Sequence, residues 1–208
     1  PKQELISWPR ANWVNTLPEY KALFNEFPEL IGRDELVEYG KLAASSKEQA
    51  VKAFIIVMIW GFGRTGYGPY RTNLMLNTSE DADERLLNAA CELKRGSLEG
   101  YEELAGPSRL HKLGPAFGTK YLHFCSHDSG NGSALILDAL VSDWLKNNTE
   151  LKLNPTNWSI RTYKKYLEQM NTWATELDIK VSDLEYCIFQ AQANSKPGNQ
   201  WQDQKHNL

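Results

Sequence analysis

Cysteine is scarce in this chain of 208 residues. Cys91, Cys125 and Cys187 stand far apart, odd in number and without a CxxC pair. That excludes a zinc or iron–sulfur site of the usual spacing and reads instead as free thiols buried within apolar helical patterns. Long hydrophobic runs are absent too. The longest, 53–60, has the length of a buried helix segment and falls well short of a membrane span. With no signal peptide or lipidation motif either, a cytoplasmic protein is expected. Apolar and polar residues nowhere alternate over more than four positions, and nothing repeats at solenoid spacing, so strands and repeat arrays are not expected. Charge of one sign is lacking as well: 23 Lys and Arg against 26 Asp and Glu leave a net −3. Such a balance excludes a protein that coats nucleic acid nonspecifically, while leaving room for a local basic groove of a few phosphate donors.

What is present is an ordinary globular mixture, 41% hydrophobic and 24% charged, with seven Trp and nine Tyr. The length suits one sizeable domain or two lobes sharing a groove. Helices are expected over 34–43 with Asp34 as N-cap, over 47–61 behind Ser45 or Ser46, and over 82–95 with Leu86, Leu87, Ala90 and Leu93 inward. Further helices are expected near 97–104, 119–126, 138–145, 159–177 and 182–194. Pro9, Pro18 and Pro28 break the N-terminal stretch into short turns, Ser108 caps the segment after Gly106-Pro107, and 128–133 is a loop. Segment 61–72 carries four glycines, but lacks both the Gly-Lys-Ser/Thr ending of a phosphate loop and the preceding strand of a dinucleotide fold. It reads as a shaped loop presenting aromatics and two arginines along a groove, or as a structural turn with packed tyrosines.

One constellation points to chemistry. Leu113-Gly114-Pro115-Ala116-Phe117-Gly118-Thr119-Lys120 reads as a glycine-bounded hairpin delivering a lysine to the first turn of a helix. Backbone N–H groups aligned at a helix N-terminus form an anion site, and Gly114, Gly118, Thr119 and Lys112 are the candidate phosphate contacts. Lys120 is then either a nucleophile, its pKa lowered by the helix end and apolar surroundings, or a surface lysine reaching a phosphate. Eighteen residues on, Leu135-Ile136-Leu137 leads to Asp138. That aspartate is a helix N-cap, a buried carboxylate relaying the lysine's proton, or both.

These residues, in this order, resemble the helix-hairpin-helix DNA glycosylases with a Gly/Pro-rich loop and catalytic aspartate. Gly118-Thr119-Lys120 looks like the hairpin of the 8-oxoguanine branch, and the aromatic 61–72 loop looks like its bacterial and archaeal OGG-like members. The resemblance is specific over about 105–146. It implies an all-α, bilobal fold acting as one catalytic unit, with 46–128 as a central lobe including the hairpin and 1–45 plus 129–208 as the other. A bent duplex and an extruded modified base would occupy the groove between them, with no cofactor, no metal and a monomeric chain. Carried over, Lys120 is the nucleophile on C1′, with a β-lyase nick as a possible second step, and Asp138 is its partner.

Three departures stand out. The hairpin is one residue longer than the Leu-Pro-Gly-Val-Gly form, the four-cysteine cluster of the endonuclease III branch is missing, and no N-terminal sheet domain fits. In the last helix Phe189 matches the phenylalanine that stacks on the flipped base, but Glu185 stands where a glutamine reads it. The implied substrate is therefore an 8-oxoguanine-like base or a hypermodified cytosine of phage DNA, such as glucosylated hydroxymethylcytosine, in repair or antiviral defence. A non-catalytic DNA-binding hairpin module is the alternative. Trp60, Arg64, Tyr67 and Tyr70 are further candidates for lining the base pocket or wedging the duplex, with core packing an equal role for Trp60. His123 and His127 lack a third metal ligand nearby, and Arg161, Lys164 and Lys165 form a solvated helix face.

Overall fold

The computed structural model describes residues 5–107, 109–126 and 132–195. The expected Ser108 cap, His127, most of the 128–133 loop and the polar tail lie outside them. Pro28 interrupts the N-terminal stretch as expected, whereas Pro9 and Pro18 lead into helices, where the first turn has no use for the N–H that proline lacks. Pro9 precedes α1 (Arg10–Thr16), and Pro18 opens a 3₁₀ turn leading into α2 (Lys21–Glu26). Two short strands, β1 (Ile6–Ser7) and β2 (Leu30–Ile31), pair antiparallel with Ile6 opposite Ile31. They fold the N-terminus over an aromatic cluster in which Trp8 meets Phe24 at 6.0 Å and Phe27 at 6.4 Å between ring centroids.

Helix α3 (Arg33–Leu42) is capped by Gly32, not Asp34, because the Gly32 N–H donates to Glu35 Oε2 at 2.8 Å and fixes the entry there. The longest apolar run becomes α4 (Lys47–Phe62), opened by Ser46 and buried without interruption from Ala53 to Trp60. A helix with no polar side must be surrounded. Around it pack α3, α5 (Gly68–Asn77), α6 (Ala82–Glu92) and α8 (Pro115–Cys125). Helix α7 (Ser97–Ala105) lies against α6 and α8. The remaining helices, α9 (Ala139–Asn148), α10 (Ile160–Glu176) and α11 (Val181–Ser195), pack α11 on both others, and α10 reaches α7. Among the described residues the chain is thus all-α apart from one two-stranded pairing. No described helix is long and apolar enough to cross a membrane.

Some local expectations need correcting. Only 63–67 of the glycine-rich stretch is loop; α4 runs through Gly61 and Phe62, and Pro69 near the start of α5 makes the rest helical. On α6 the expected Leu86 and Ala90, and Leu93 just past its end, are buried and Leu87 packs partly buried against the core; Ala89 joins them. The three thiols are free, as expected, but Cys187 is exposed on α11 and Cys91 and Cys125 are only partly covered. Where α3 crosses α8, Gly40 sits so close that a Cβ there would lie 2.2 Å from the Phe124 carbonyl oxygen. Glycine alone permits that approach.

Candidate active site

The hairpin ends earlier than its glycines suggest. Gly114 is the N-cap of α8 and Pro115 its first residue, a pairing that favours helix initiation at that point. Lys112, just before, adopts a left-handed backbone with φ 63°. Its carbonyl accepts from Arg71 Nη2 at 3.0 Å, and His111 bonds Thr78 and Ser79, so the hairpin tip is tied to the end of α5. Gly118 and Thr119 therefore lie inside the helix. The Gly118 N–H already donates to Gly114 O at 2.9 Å, and a Cβ on Gly118 would meet the Trp158 indole at 2.4 Å. Both are buried, which removes them from the phosphate contacts; Gly118 is small because Trp158 packs on it. Lys120 is the sixth residue of α8 and not, as expected, part of its first turn, so it stands away from the positive end of the helix.

Asp138 is delivered by an extended segment, 133–137, that belongs to no sheet. A buried extended backbone needs partners for its N–H and C=O groups, and side chains supply them. Ser126 Oγ accepts from the Ala134 N–H at 2.9 Å, and His123 Nδ1 donates to Ala134 O at 2.7 Å. The Tyr163 hydroxyl accepts from the Leu135 N–H at 3.0 Å and donates to Leu135 O at 2.8 Å. Tyr166 donates to Ile136 O, and Thr119 Oγ1 accepts from the Leu137 N–H at 2.9 Å while donating to Pro115 O. Leu135, Ile136 and Leu137 are buried beneath. Asp138 then caps α9 with Oδ1, which accepts from the Leu140 and Val141 N–H groups.

Its other oxygen faces Lys120. Nζ lies 2.8 Å from Asp138 Oδ2 and 3.4 Å from Ala116 O, in a lysine only 9% exposed. Burial pushes the Asp138 carboxyl up, but the Lys120 ammonium, its hydrogen bond and the two capping amides outweigh that and hold it below the ordinary value. The pair opens onto a cavity of about 290 Å³ whose wall also includes Trp60, Phe117, Glu185 and Phe189. Two groups on this wall carry buried polar atoms that find no hydrogen-bond partner among the described residues: Trp60 Nε1 and both oxygens of Glu185. Buried polar atoms are normally satisfied. The cavity thus sets a donor and a carboxyl, neither with a hydrogen-bond partner, among aromatic faces.

A family model described as "Putative 8-oxoguanine DNA glycosylase OGG-like protein" matches residues 1–189. The chain belongs to that family. No curated protein and no solved structure matches it. Membership in a DNA glycosylase family makes DNA the implied partner.

In this OGG-like chain the residues expected at the site divide into two groups. Lys120, Asp138, Trp60, Glu185 and Phe189 come together on one cavity. Arg64 does not: it lines a separate cavity with Ser7, Trp8, Pro9 and Asn12, because 63–67 turns away after α4. Tyr67 and Tyr70 stay outside as well, 55% and 52% exposed, with Arg71 over the Tyr67 ring at 5.7 Å. Gly114 and Lys112 remain at the surface on the hairpin, where the amide of Ala116 has no helical acceptor before it. His123 is engaged elsewhere, its Nε2 3.3 Å from Arg33 Nη1. Sequence reasoning missed Arg33, which lines the cavity, lies over Trp60, Phe124 and Tyr186, and forms an ion pair with Glu185 at 3.7 Å. No motif marked it, since it reaches the site from the opposite end of the chain.

Thr119, although no phosphate ligand, sets the site. Thr119→Val keeps the shape but leaves the buried Leu137 N–H without an acceptor, a cost of about 1–3 kcal/mol. A denaturant midpoint lowered accordingly is expected; a midpoint unchanged from wild type would show that this bond does not hold the segment.

Proposed function

We propose that this chain is a DNA glycosylase that flips a modified base into the cavity and excises it by lysine attack. The observation that supports this most directly is the Lys120 Nζ to Asp138 Oδ2 contact of 2.8 Å on the wall of an aromatic cavity. Lys120 attacks C1′, the base leaves, and the resulting imine can resolve by β-elimination with a nick. Asp138 is ionised at neutral pH, so it can take the lysine's proton and offset the positive charge that develops on the sugar. Phe189 and Phe117 offer faces for stacking the extruded base. Lys112 and the Gly114 end of α8 face outward on the hairpin, where they can meet backbone phosphate without reading sequence.

The two-lobe arrangement belongs to the same proposal. It divides the chain into 46–128 and 1–45 plus 129–208, and what supports it is that α11 packs on α9 and α10, that α4 packs on α5, α6 and α8, and that both sets line the cavity. The substrate is an 8-oxoguanine-like base or a hypermodified cytosine. The decisive experiment is borohydride trapping against duplexes carrying 8-oxoguanine, glucosylated hydroxymethylcytosine and a preformed abasic site. A covalent protein–DNA adduct is expected. Salt-sensitive binding without adduct or base release on any of them would replace this reading with a non-catalytic DNA-binding module.

Asp138→Asn keeps the side-chain oxygen that caps α9 but removes the charge facing Lys120. Base release is expected to fall about 100-fold with duplex binding retained, measured under single-turnover conditions. An unaffected rate would reduce Asp138 to a cap.

A further inference from the structure

The cavity holds two carboxyl groups in opposite circumstances. Asp138 accepts three hydrogen bonds, one from Lys120 and two from backbone amides. Glu185, on α11, is fully buried and neither of its oxygens has a hydrogen-bond partner among the described residues. Arg33 forms an ion pair with it from 3.7 Å, Nη2 to Oε2, longer than a hydrogen bond. Arg33 is drawn aside, facing His123 Nε2 and lying 4.8 Å from the Tyr186 ring.

We propose that Glu185 is the general acid that protonates the departing base, complementing Lys120 as nucleophile and Asp138 as acceptor of the lysine's proton. This rests on the glycosylase reading above. The environments support the division of labour. Burial pushes the Glu185 carboxyl up to about 7, Arg33 opposing the rise and Asp138 adding to it, whereas Asp138 itself is held below its ordinary value. Two carboxyls driven apart in one cavity fall naturally into an acid and a base.

The step balances. The C1′–N bond breaks with its electron pair going to the base, and the Glu185 proton goes to that base. The Lys120 Nζ–C1′ bond forms as the lysine's proton passes to Asp138. Glu185 is left as a carboxylate beside Arg33, Asp138 is neutral, and the lysine nitrogen keeps the single positive charge. Return of the Asp138 proton to Glu185 restores the two carboxyls, and Lys120 is freed when the sugar ring opens, the nitrogen's proton passing to O4′, and water hydrolyses the resulting iminium to the lysine ammonium and an aldehyde.

The groups that face Glu185 are few in kind. Arg33 comes from α3, with His123 of α8 beside it, Lys120 from α8, Asp138 from the N-cap of α9, Tyr163 and Tyr166 from α10, and Tyr186 from α11 itself. Burial raises all three tyrosines, so they stay neutral through the relevant range. The acid form of Glu185 is populated below about pH 7 and lost above it. Single-turnover base release should therefore decline by about tenfold per pH unit on the alkaline side.

The test compares wild type with Glu185→Gln in two assays. One is base release from the duplex that wild type cuts; the other is borohydride adduct formation on a preformed abasic site, where no base remains to be protonated. Release is expected to fall about 100-fold or more in the variant and to lose its alkaline decline, while adduct formation falls no more than a few-fold. The adduct also reports that the variant folds. Unchanged release, an alkaline decline that persists (the outcome if His123 titrates instead), or equal losses in both assays would overturn the acid role. A wild-type chain that neither releases base nor forms an adduct overturns the glycosylase reading itself.

Discussion

Lys120→Gln is expected to abolish base release and the borohydride-trapped adduct together, by roughly 10⁴-fold or more in rate. Glutamine suits this test because it keeps much of the length and can still donate toward Asp138 Oδ2, which sits 2.8 Å from Nζ. The pair is nearly enclosed, with side chains 11% and 14% exposed. An apolar replacement would leave Asp138 ionised and unpaired, at a cost of about 3–5 kcal/mol, and would confuse lost chemistry with lost structure. With glutamine, binding to duplex should persist and the melting temperature should move little. Trapping that survives in the variant, or release above about one hundredth of wild type, would assign the attack to another group.

Gly40→Ala should produce the largest loss of stability. The added Cβ would lie 2.2 Å from the Phe124 carbonyl oxygen and 2.5 Å from its carbon, and neither belongs to a side chain that can swing away. Helices α3 and α8 must separate, and overpacking of this kind costs about 3 kcal/mol. For a chain of this size that lowers the melting temperature by about 6–12 °C. The same change reaches the site, since α3 carries Arg33 and α8 carries Lys120. Adduct formation should therefore suffer at temperatures where the variant is still folded. A melting temperature within a degree of wild type would mean that the two helices are less tightly seated than their geometry implies.

Much of the helical order was legible in sequence because periodicity and caps are local. The buried run of α4, its Ser46 cap and the Lys120–Asp138 spacing all rest on neighbouring residues. Glycine is a less local signal, because what it makes room for can lie far along the chain. Gly118 looked like loop because glycine usually marks a turn, yet here it clears space for Trp158, forty residues away; Pro115 behind Gly114 was the better marker of where α8 begins. The glycines of 61–72 misled in the same way, and with them Arg64, Tyr67 and Tyr70 were placed in the base pocket. Glu185 and Phe189 could be placed by resemblance within the last helix. Arg33 could not, because nothing local distinguishes a surface arginine at the start of α3 from one that crosses to meet Glu185.

The extended segment before Asp138 has a consequence for how this protein can vary. Stretches without regular secondary structure are where chains ordinarily accept insertions and deletions. Here successive residues from Ala134 to Leu137 are each engaged by a different hydroxyl or imidazole, from Ser126, His123, Tyr163, Tyr166 and Thr119. Adding or removing a single residue would shift every one of those pairings and turn the carboxylate of Asp138 away from Lys120. The least regular part of the site is consequently the part whose length has no freedom.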